Sequence, residues 1–267
     1  MRYKLIVSDF DNTICNRRKM VTQRTKSAIK QFTDNGGRFV VCTTRPYIGI
    51  AEIAKKIGLR DEIIANQGAT VRNLADNSVV FQSLFTYKEA LEIIRFFDLK
   101  SKHIFLASDF QMKSKTQDLF MSICEKAVKY PLKKTEVCLQ YDCTKMDVAQ
   151  IIVGAYSHNK VCEFENLAKI EFGDKYEIGI CDKYLLNLTQ KGVSKGRAIQ
   201  RIADIHSIKR EEIIAFGDSL NDSSMFEFAG VGVAMGNAMQ GLKNVATTVC
   251  GSVNEDGLAE FIEKNCL

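Results

Sequence analysis

Short apolar runs and helix-like patterns alternate along the first part of the chain. Continuous apolar stretches at 3–9, 38–44 and 62–67 have the length and composition of strands that are covered on both faces. Between them, helical patterns cover 23–35 and 46–57, and the second of these begins at a proline. Alternation of strand and helix is typical of a parallel sheet with right-handed crossovers.

The last third of the sequence repeats this alternation. A helix is expected to begin at Lys195, with Ser194 placed to cap it, and its apolar residues form a single stripe. The further strands and helices are predicted, in alternation, at 212–218, 221–230, 231–236 and 258–265. Both ends of the chain therefore predict one α/β core, a Rossmann-like parallel sheet with helices on both faces.

The middle of the sequence has a different character, with more lysine, tyrosine and phenylalanine. Its helical and strand-like patterns lie at 87–97, 115–129, 136–142, 176–182 and 183–189. The last two strands adjoin each other, so a hairpin is expected there. We therefore expect an inserted α+β domain over residues 84–187, with residues 1–83 and 188–267 forming the α/β core.

Composition places the chain among ordinary globular proteins. Hydrophobic residues make up 46% and charged residues 26% of 267 positions, and the formal net charge is +5. No stretch interleaves dense basic residues with aromatics, and no apolar run approaches about 18 residues, so neither a nucleic-acid partner nor a membrane span is expected. The nine cysteines form no CxxC pair, which favours a reducing compartment and predicts a cytoplasmic protein. The oligomeric state is left open.

Two carboxylates follow the first predicted strand on one of its faces. Asp9 and Asp11 are two strand steps apart, about 6.6 Å, and at an effective dielectric near 20 their repulsion is about 2.5 kcal/mol. A bound divalent cation would offset that repulsion. Further polar groups at strand ends or helix starts are Thr43 to Arg45, Lys195, Asp218 and Asp222. Each alone has an ordinary structural explanation, such as a helix cap. Because ligands bind beyond the carboxyl ends of parallel strands, we expect these groups to converge.

With these motifs, the sequence resembles the haloacid dehalogenase superfamily, and within it the Cof-type phosphatases. The resemblance rests on DFDNT (9–13), TTR (43–45), GVSKG (192–196), GDSLND (217–222) and VAMGNA (233–238). It covers nearly the whole chain, and it places the insertion where that family has a cap domain governing substrate specificity. It implies hydrolysis of small phosphate monoesters, with Mg²⁺ as cofactor and a small phosphorylated metabolite as the partner.

The resemblance also implies roles for individual residues. Asp9 would be the nucleophile that forms an aspartyl-phosphate, and Asp11 the acid for the departing alcohol and then the base for the attacking water. The implied metal ligands are Asp9, the backbone carbonyl of Asp11, Asp218 and Asp222, the last acting through water or as support for the others. The implied phosphate-binding residues are Thr43, Thr44, Lys195 and Asn221.

Three positions depart from the family's pattern. Asn12 stands where the family usually has glycine, and asparagine tolerates left-handed backbone conformations better than most residues. Thr44 stands where glycine commonly precedes the arginine, which leaves the role of Arg45 open. Gln67 in NQGA (66–69) occupies the place of an asparagine. None of these changes removes a group that the implied mechanism requires.

The sequence leaves other functions open. A receiver-like phospho-acceptor also clusters Asp, Thr and Lys, but it lacks the DxDxT motif and needs no large insertion. A phosphomutase would share the aspartyl-phosphate, and a non-catalytic phosphometabolite-binding protein would share the fold. The substrate is open among sugar phosphates, phosphorylated cofactors and nucleotides. In the insertion, His103, Lys113 and Lys115 are interpreted as solvated surface residues rather than as substrate contacts.

Overall fold

The computed structural model describes residues 2–16, 18, 20–101, 103–114, 120, 136–137 and 146–267 of the chain. Its strands are β1 (Leu5–Ser8), β2 (Arg38–Cys42), β3 (Glu62–Ala65), β4 (Thr70–Asn73), β5 (Val79–Gln82), β6 (Ile104–Ala107), β7 (Met112–Ser114), β8 (Glu136–Val137), β9 (Gln150–Gly154), β10 (Tyr176–Asp182), β11 (Leu185–Gln190), β12 (Ile213–Gly217), β13 (Val231–Ala234) and β14 (Thr248–Val249). Its α-helices are α1 (Gln23–Asp34), α2 (Ala51–Lys56), α3 (Tyr87–Asp98), α4 (His158–Phe172), α5 (Lys195–Ile205), α6 (Ser223–Phe228), α7 (Gln240–Lys243) and α8 (Gly257–Asn265). Among the described residues, no helix has the length and apolar character that crossing a membrane requires.

The larger sheet has the spatial order β14–β13–β12–β1–β2–β3–β4–β5. From β14 to β3 every pair of neighbours is parallel, whereas β4 and β5 add an antiparallel edge. Strand β1 lies in the middle of the sheet, and its residues Leu5, Ile6 and Val7 are completely buried, as a continuous apolar run predicts. The predicted α/β class and its parallel sheet are confirmed, and the β4–β5 hairpin is an addition that the sequence analysis did not anticipate.

The parallel register brings two distant parts of the chain to one edge of this sheet. Ser8 at the end of β1 lies opposite Phe216 in β12. The next residue, Asp9, still donates its backbone N–H to the carbonyl of Phe216 at 2.9 Å. Asp218 directly follows the end of β12. Both aspartates therefore emerge at the carboxyl end of adjacent strands, where parallel sheets bind ligands.

Helix α5 starts at the same edge, and its start is fixed by a cap. The Ser194 hydroxyl accepts a hydrogen bond from the backbone N–H of Arg197 at 3.1 Å, as expected for an N-cap. The apolar stripe of Ala198, Ile199 and Ile202 is buried against the sheet. Cap and stripe together fix the rotation of α5, and so they determine where its first residue, Lys195, points.

The second sheet belongs to the middle of the chain and has the order β10–β11–β9–β6–β7–β8. The predicted β10–β11 hairpin is confirmed, with Gly179 paired opposite Asn187. One face packs on helices α3 and α4, where Leu186 and Leu188 of β11 join a buried cluster with helix residues such as Phe97. Because side chains alternate along a strand, Asn187 lies on the opposite face.

A buried carboxylate joins the two sheets. Asp109, in the turn between β6 and β7, accepts hydrogen bonds from Asn66 Nδ2 at 3.0 Å and Thr70 Oγ1 at 2.6 Å. It also forms an ion pair with Arg72 of β4. Ile48 donates its backbone N–H to the carbonyl of Asp109 at 2.7 Å. These contacts tie the turn between β6 and β7 of the second sheet to the first sheet.

The predicted single helix over 46–57 is wrong. The chain forms a 3₁₀ turn at Tyr47–Gly49 and helix α2 begins only at Ala51. Pro46 itself is extended, with ψ of 150°. Tertiary contacts hold this turn, since the Tyr47 side chain is buried and the Ile48 N–H donates to the carbonyl of Asp109. A helix that began at Pro46 would leave the Ile48 N–H without an intrahelical acceptor, so this hydrogen bond alone does not exclude the helix.

Other expectations for the middle of the chain have mixed outcomes. The predicted helix over 115–129 and most of the predicted strand over 136–142 lie outside the described residues. The predicted border after residue 187 falls inside β11, whose pairing with β10 continues to Gln190. The division into residues 1–83 with 188–267 and residues 84–187 stays a prediction. Strands β6 and β9 and helix α4 were not anticipated.

A glycine allows the turn after β3 to pack closely against the residue that precedes α5. Gly68 has φ of +98°, and a Cβ there would lie 2.5 Å from the carbonyl oxygen of Ser194. Gly58 has a similar φ of +88°, but a Cβ at that position would have nothing within 4 Å. A side chain at either position would strain the backbone, but only at Gly68 would it also clash with a neighbouring segment.

We expect Gly58→Ala to lower the free energy of unfolding by about 1–2 kcal/mol, since only the left-handed backbone is strained. Gly68→Ala should lower the free energy of unfolding by about 1–3 kcal/mol more than Gly58→Ala does, because the added methyl group displaces the Ser194 backbone. Urea denaturation of the two variants and the wild type measures the difference. Equal losses for both variants would contradict the close packing described here.

Candidate active site

Lys195 is the centre of the site and is completely buried. Its Nζ donates to Asp9 Oδ1 at 2.7 Å and to Asp222 Oδ1 at 2.6 Å. Burial by itself would lower the pKa of Lys195, but the carboxylates of Asp222 and Asp9 outweigh burial and raise that pKa above its ordinary value. The side chain therefore remains an ammonium ion between two acidic groups.

Asp222 orders the loop that follows β12. While its Oδ1 accepts from Lys195, its Oδ2 accepts backbone N–H groups of Asp218 at 3.0 Å and Ser219 at 3.1 Å. Its side chain is completely buried. Asp222 thus connects the Lys195 ammonium to the backbone that carries Asp218.

Three carboxylates crowd together at this point. Asp9, Asp218 and Asp222 each offer an oxygen, and these oxygens lie within 4.8 Å of one another. Burial raises the pKa of Asp9 well above its ordinary value, with Lys195 acting in the opposite direction. Burial, and then the charge of Asp222, raise the pKa of Asp218 to about 7. Hard oxygen donors that repel one another are a suitable environment for Mg²⁺, so the residues present fit the cation implied by the sequence.

Asp11 lies apart from this group and is held by Arg45. Both carboxylate oxygens of Asp11 accept hydrogen bonds, from Nε and Nη2 of Arg45, each at 2.7 Å. Arg45 is 2% exposed, and its guanidinium lies over the Phe10 ring at 5.3 Å. Sequence reasoning left the role of Arg45 open, and the pairing depends on a bend after β2 that no local pattern indicates.

The predicted phosphate-binding residues surround the carboxylates. Thr43 is buried at the end of β2, and its hydroxyl accepts the backbone N–H of Arg45 at 3.2 Å. Thr44 is half-buried. Asn221 lies in the turn before Asp222, is half-buried, and accepts a hydrogen bond from the Ser219 hydroxyl at 2.5 Å. Their contacts with phosphate stay a prediction, as do the catalytic and metal-binding roles given to the aspartates.

Backbone geometry agrees with the expectation for Asn12, whose φ is +59°. Asn66 and Gln67 also have positive φ, of +49° and +62°. The Gln67 N–H donates to the carbonyl of Thr43 at 3.1 Å, which ties this turn to the end of β2.

The interpretation of His103 as a surface residue is wrong. The side chain is 5% exposed and stacks on the Phe120 ring at a centroid distance of 4.0 Å. A histidine preceding an apolar strand gives too little local pattern to indicate such a contact. Lys113 is half-buried in β7, and Lys115 lies outside the described residues.

Comparison with known proteins identifies the family. The family model of haloacid dehalogenase-like hydrolases matches residues 6–262, so the chain belongs to that family. The chain is 26% identical to the phosphatase YwpJ of Bacillus subtilis (strain 168), over 97% of its own length and 99% of the relative. It is also 26% identical to 5-amino-6-(5-phospho-D-ribitylamino)uracil phosphatase YwtE of the same organism, over 98% and 97%.

Structural comparison agrees with this assignment. A haloacid dehalogenase-like hydrolase from Bacteroides thetaiotaomicron superposes with a TM-score of 0.85 at 26% identity, covering 98% of this chain and 99% of the other. The predicted resemblance is confirmed, and the protein is a hydrolase acting on phosphate esters.

We expect Arg45→Lys to lower kcat between about 10- and 100-fold, because a lysine ammonium cannot hold both oxygens of Asp11 in one orientation. Arg24→Lys is the matched control, since Arg24 also donates to both oxygens of Glu263 but at an exposed position. Phosphate release and thermal denaturation should be measured for both. Full activity in Arg45→Lys would show that the orientation of Asp11 does not matter.

Proposed function

We propose that the protein hydrolyses small phosphate monoesters in a Mg²⁺-dependent reaction that passes through an aspartyl-phosphate on Asp9. The observation that carries this proposal is the contact of Asp9 with the Lys195 ammonium at 2.7 Å, beside the carboxylates of Asp218 and Asp222. An isolated buried carboxylate would reject a phosphate dianion. Here an ammonium and a site for a divalent cation counter that repulsion.

The first step is displacement at phosphorus. An Asp9 oxygen forms a bond to the phosphorus while the bond to the alcohol oxygen breaks, and the electron pair leaves with that oxygen. Asp11 supplies the proton that the departing alcohol needs. Because Arg45 holds both oxygens of Asp11, donation requires release of one of these hydrogen bonds. Lys195 keeps Asp9 oriented throughout.

The second step regenerates the enzyme. Water attacks the phosphorus, Asp11 takes its proton, and the bond between phosphorus and Asp9 breaks to release inorganic phosphate. The proton on Asp11 is then available for the next substrate. The two steps sum to ester plus water giving alcohol plus phosphate. Before this step Asp11 is ionised, and its two hydrogen bonds from Arg45 suit the role of a base.

The residues that would hold Mg²⁺ are Asp9, Asp218 and the backbone carbonyl of Asp11, and the cation would supply charge neutralisation at the phosphoryl group. Both oxygens of Asp222 already accept hydrogen bonds. We therefore assign Asp222 the supporting role, in which it orients Lys195 and Asp218. Thr43, Thr44 and Asn221 would donate hydrogen bonds to phosphoryl oxygens from the surrounding loops.

A relative and the position of the second sheet support the proposed class of substrate. The relative YwtE is named as a phosphatase for 5-amino-6-(5-phospho-D-ribitylamino)uracil, which supports a small phosphorylated metabolite as the substrate here. We propose that residues 84–187 form a cap, with its sheet held over the site through Asp109. The cytoplasmic location expected from cysteine usage stays a prediction.

We expect Asp9→Asn to abolish phosphate release from p-nitrophenyl phosphate, because the amide cannot form the acyl phosphate. Asp11→Asn should slow it by about 10²–10⁴-fold, since proton transfer is lost while the nucleophile remains. Activity should vanish with a chelator and return with Mg²⁺.

The control is Asp34→Asn, which changes an exposed carboxylate paired with Lys30. Circular dichroism should establish that all three variants are folded. Most of the wild-type activity surviving in Asp9→Asn would refute the mechanism. Formation of an isomeric phosphate ester in place of free phosphate would favour a phosphomutase.

A further inference from the structure

The turn that carries Asp109 contacts the first sheet at two separate places. At the first, the Asp109 carboxylate accepts hydrogen bonds from Asn66 Nδ2 at 3.0 Å and Thr70 Oγ1 at 2.6 Å. The same carboxylate pairs with Arg72. At the second, the Asp109 carbonyl accepts the backbone N–H of Ile48 at 2.7 Å. Because Asp109 is 6% exposed, these contacts are largely shielded from water.

Both places adjoin a contact of Arg45. The backbone N–H of Asn66 donates to the carbonyl of Arg45 at 2.9 Å. The Nη1 atom of Arg45 donates to the carbonyl of Gly49, the residue after Ile48, at 3.3 Å. The main chain and the guanidinium of Arg45 are thus each held by a segment that Asp109 contacts. Asp109 and Arg45 are therefore joined by two routes, which together form a closed ring of contacts.

Aromatic packing holds the same region. The Phe110 ring, in the β6–β7 turn, meets the buried Tyr47 ring edge-on at 5.8 Å, and the Arg72 guanidinium lies 4.7 Å from the Phe110 ring centre. Tyr47 and Gly49 belong to one 3₁₀ turn. The packing of Phe110 on this turn therefore also fixes the carbonyl that accepts from Arg45.

Arg45 connects the ring of contacts to Asp11. Its Nε and Nη2 atoms donate to both carboxylate oxygens of Asp11, each at 2.7 Å. Arg45 is 2% exposed, whereas the Asp11 side chain is 27% exposed. A planar guanidinium that is held at Nη1 and at its main chain has little freedom to turn, so it fixes the plane of the carboxylate that it binds. Proton transfer to a departing alcohol depends on that orientation.

We propose that Asp109 and Asn66 are positioning residues for proton transfer by Asp11. They act through Arg45, and neither needs to touch the substrate. Docking of the β6–β7 turn on the first sheet then orients the acid in addition to attaching the second sheet. The inference rests on the proposed function, because it concerns the proton that Asp11 gives to the alcohol oxygen as the bond from phosphorus to that oxygen breaks.

The test compares two aryl phosphates that differ in their need for a proton. Phenol has a pKa of about 10, as tyrosine does, so its anion leaves poorly unless it is protonated. The p-nitrophenolate anion is more stable and leaves readily without a proton. The value of kcat/KM covers binding and displacement at phosphorus, but not hydrolysis of the intermediate that both esters share. The ratio of kcat/KM on the two esters with Mg²⁺ therefore measures the contribution of the acid.

Two variants change the ring of contacts at different points. Asp109→Asn removes the charge and keeps the size of the side chain. Asn66→Gly removes the amide, but it suits the φ of +49° and keeps the N–H that donates to Arg45. Each variant should lower kcat/KM on phenyl phosphate about tenfold or more and on p-nitrophenyl phosphate at most about threefold, because only the poorer leaving group needs the oriented acid.

Each variant has a matched control. Asp61→Asn changes another partly buried carboxylate that pairs with an arginine, Arg38, next to the amino end of β3. Ser207→Gly replaces another residue of positive φ, +52°, at an exposed position after α5. Both controls should leave the ratio between the esters unchanged. Circular dichroism should establish that the variants are folded, and Asn66→Gly decides the test if Asp109→Asn does not fold.

A double variant shows whether the effect passes through Asp11. Asp11→Asn alone should lower kcat/KM more on phenyl phosphate than on p-nitrophenyl phosphate. Adding Asp109→Asn to it should lower kcat/KM on phenyl phosphate by at most about a further twofold, because the group that Asp109 orients is already absent. If Asp109 served only to attach the second sheet, the losses from the two substitutions would multiply instead.

The outcomes separate the two proposals. Equal losses on both esters in Asp109→Asn and Asn66→Gly, or no loss in either variant, would overturn this inference and leave the proposed function standing. Losses that multiply in the double variant would also overturn it. A wild-type protein that hydrolyses neither ester with Mg²⁺, or an Asp11→Asn variant with equal losses on both, would contradict the proposed function, and this inference would fall with it.

Discussion

A buried ammonium group between two carboxylates holds the candidate site together. Lys195 is completely removed from solvent, and it donates to Asp9 and Asp222 at 2.7 and 2.6 Å. Taking such charges out of water one at a time costs several kcal/mol each, so each group is tolerable only because of the others. The Asp222 carboxylate extends this dependence to the backbone of Asp218. Loss of the ammonium would therefore disturb every acidic group around it.

The fold supplies the positions that this interaction needs. Parallel pairing of β1 with β12 sets Asp9 and Asp218 at neighbouring strand ends, and the cap at Ser194 fixes the first turn of α5. The Gly68 turn packs closely on the start of that helix. Asp109 then ties the second sheet to the first. The buried charges, the strand register and the second sheet therefore all define the same site.

The central part of the site could be predicted from the sequence, because it depends on local patterns and on the topology of a parallel sheet. Strand ends in a parallel sheet share an edge, so Asp9 and Asp218 were expected together, and the structure brings them together. The pairing of Arg45 with Asp11 depends on side-chain geometry beyond the strand, and no periodic pattern encodes it. In place of the helix that Pro46 indicated, the chain forms a 3₁₀ turn whose Tyr47 side chain is buried and whose Ile48 N–H donates to Asp109. Tertiary contacts of this kind override local preference.

The most direct test of the account measures the stability of Lys195→Met against pH, without divalent cations and with Lys264→Met as an exposed control. The variant should lose about 3–5 kcal/mol near neutral pH, because two buried carboxylates lose their counter-charge. Carboxyl groups with raised pKa favour the folded state at low pH and lose that contribution as pH rises, so the deficit should shrink toward about pH 4. A Lys195→Met protein as stable as Lys264→Met at neutral pH would contradict the account.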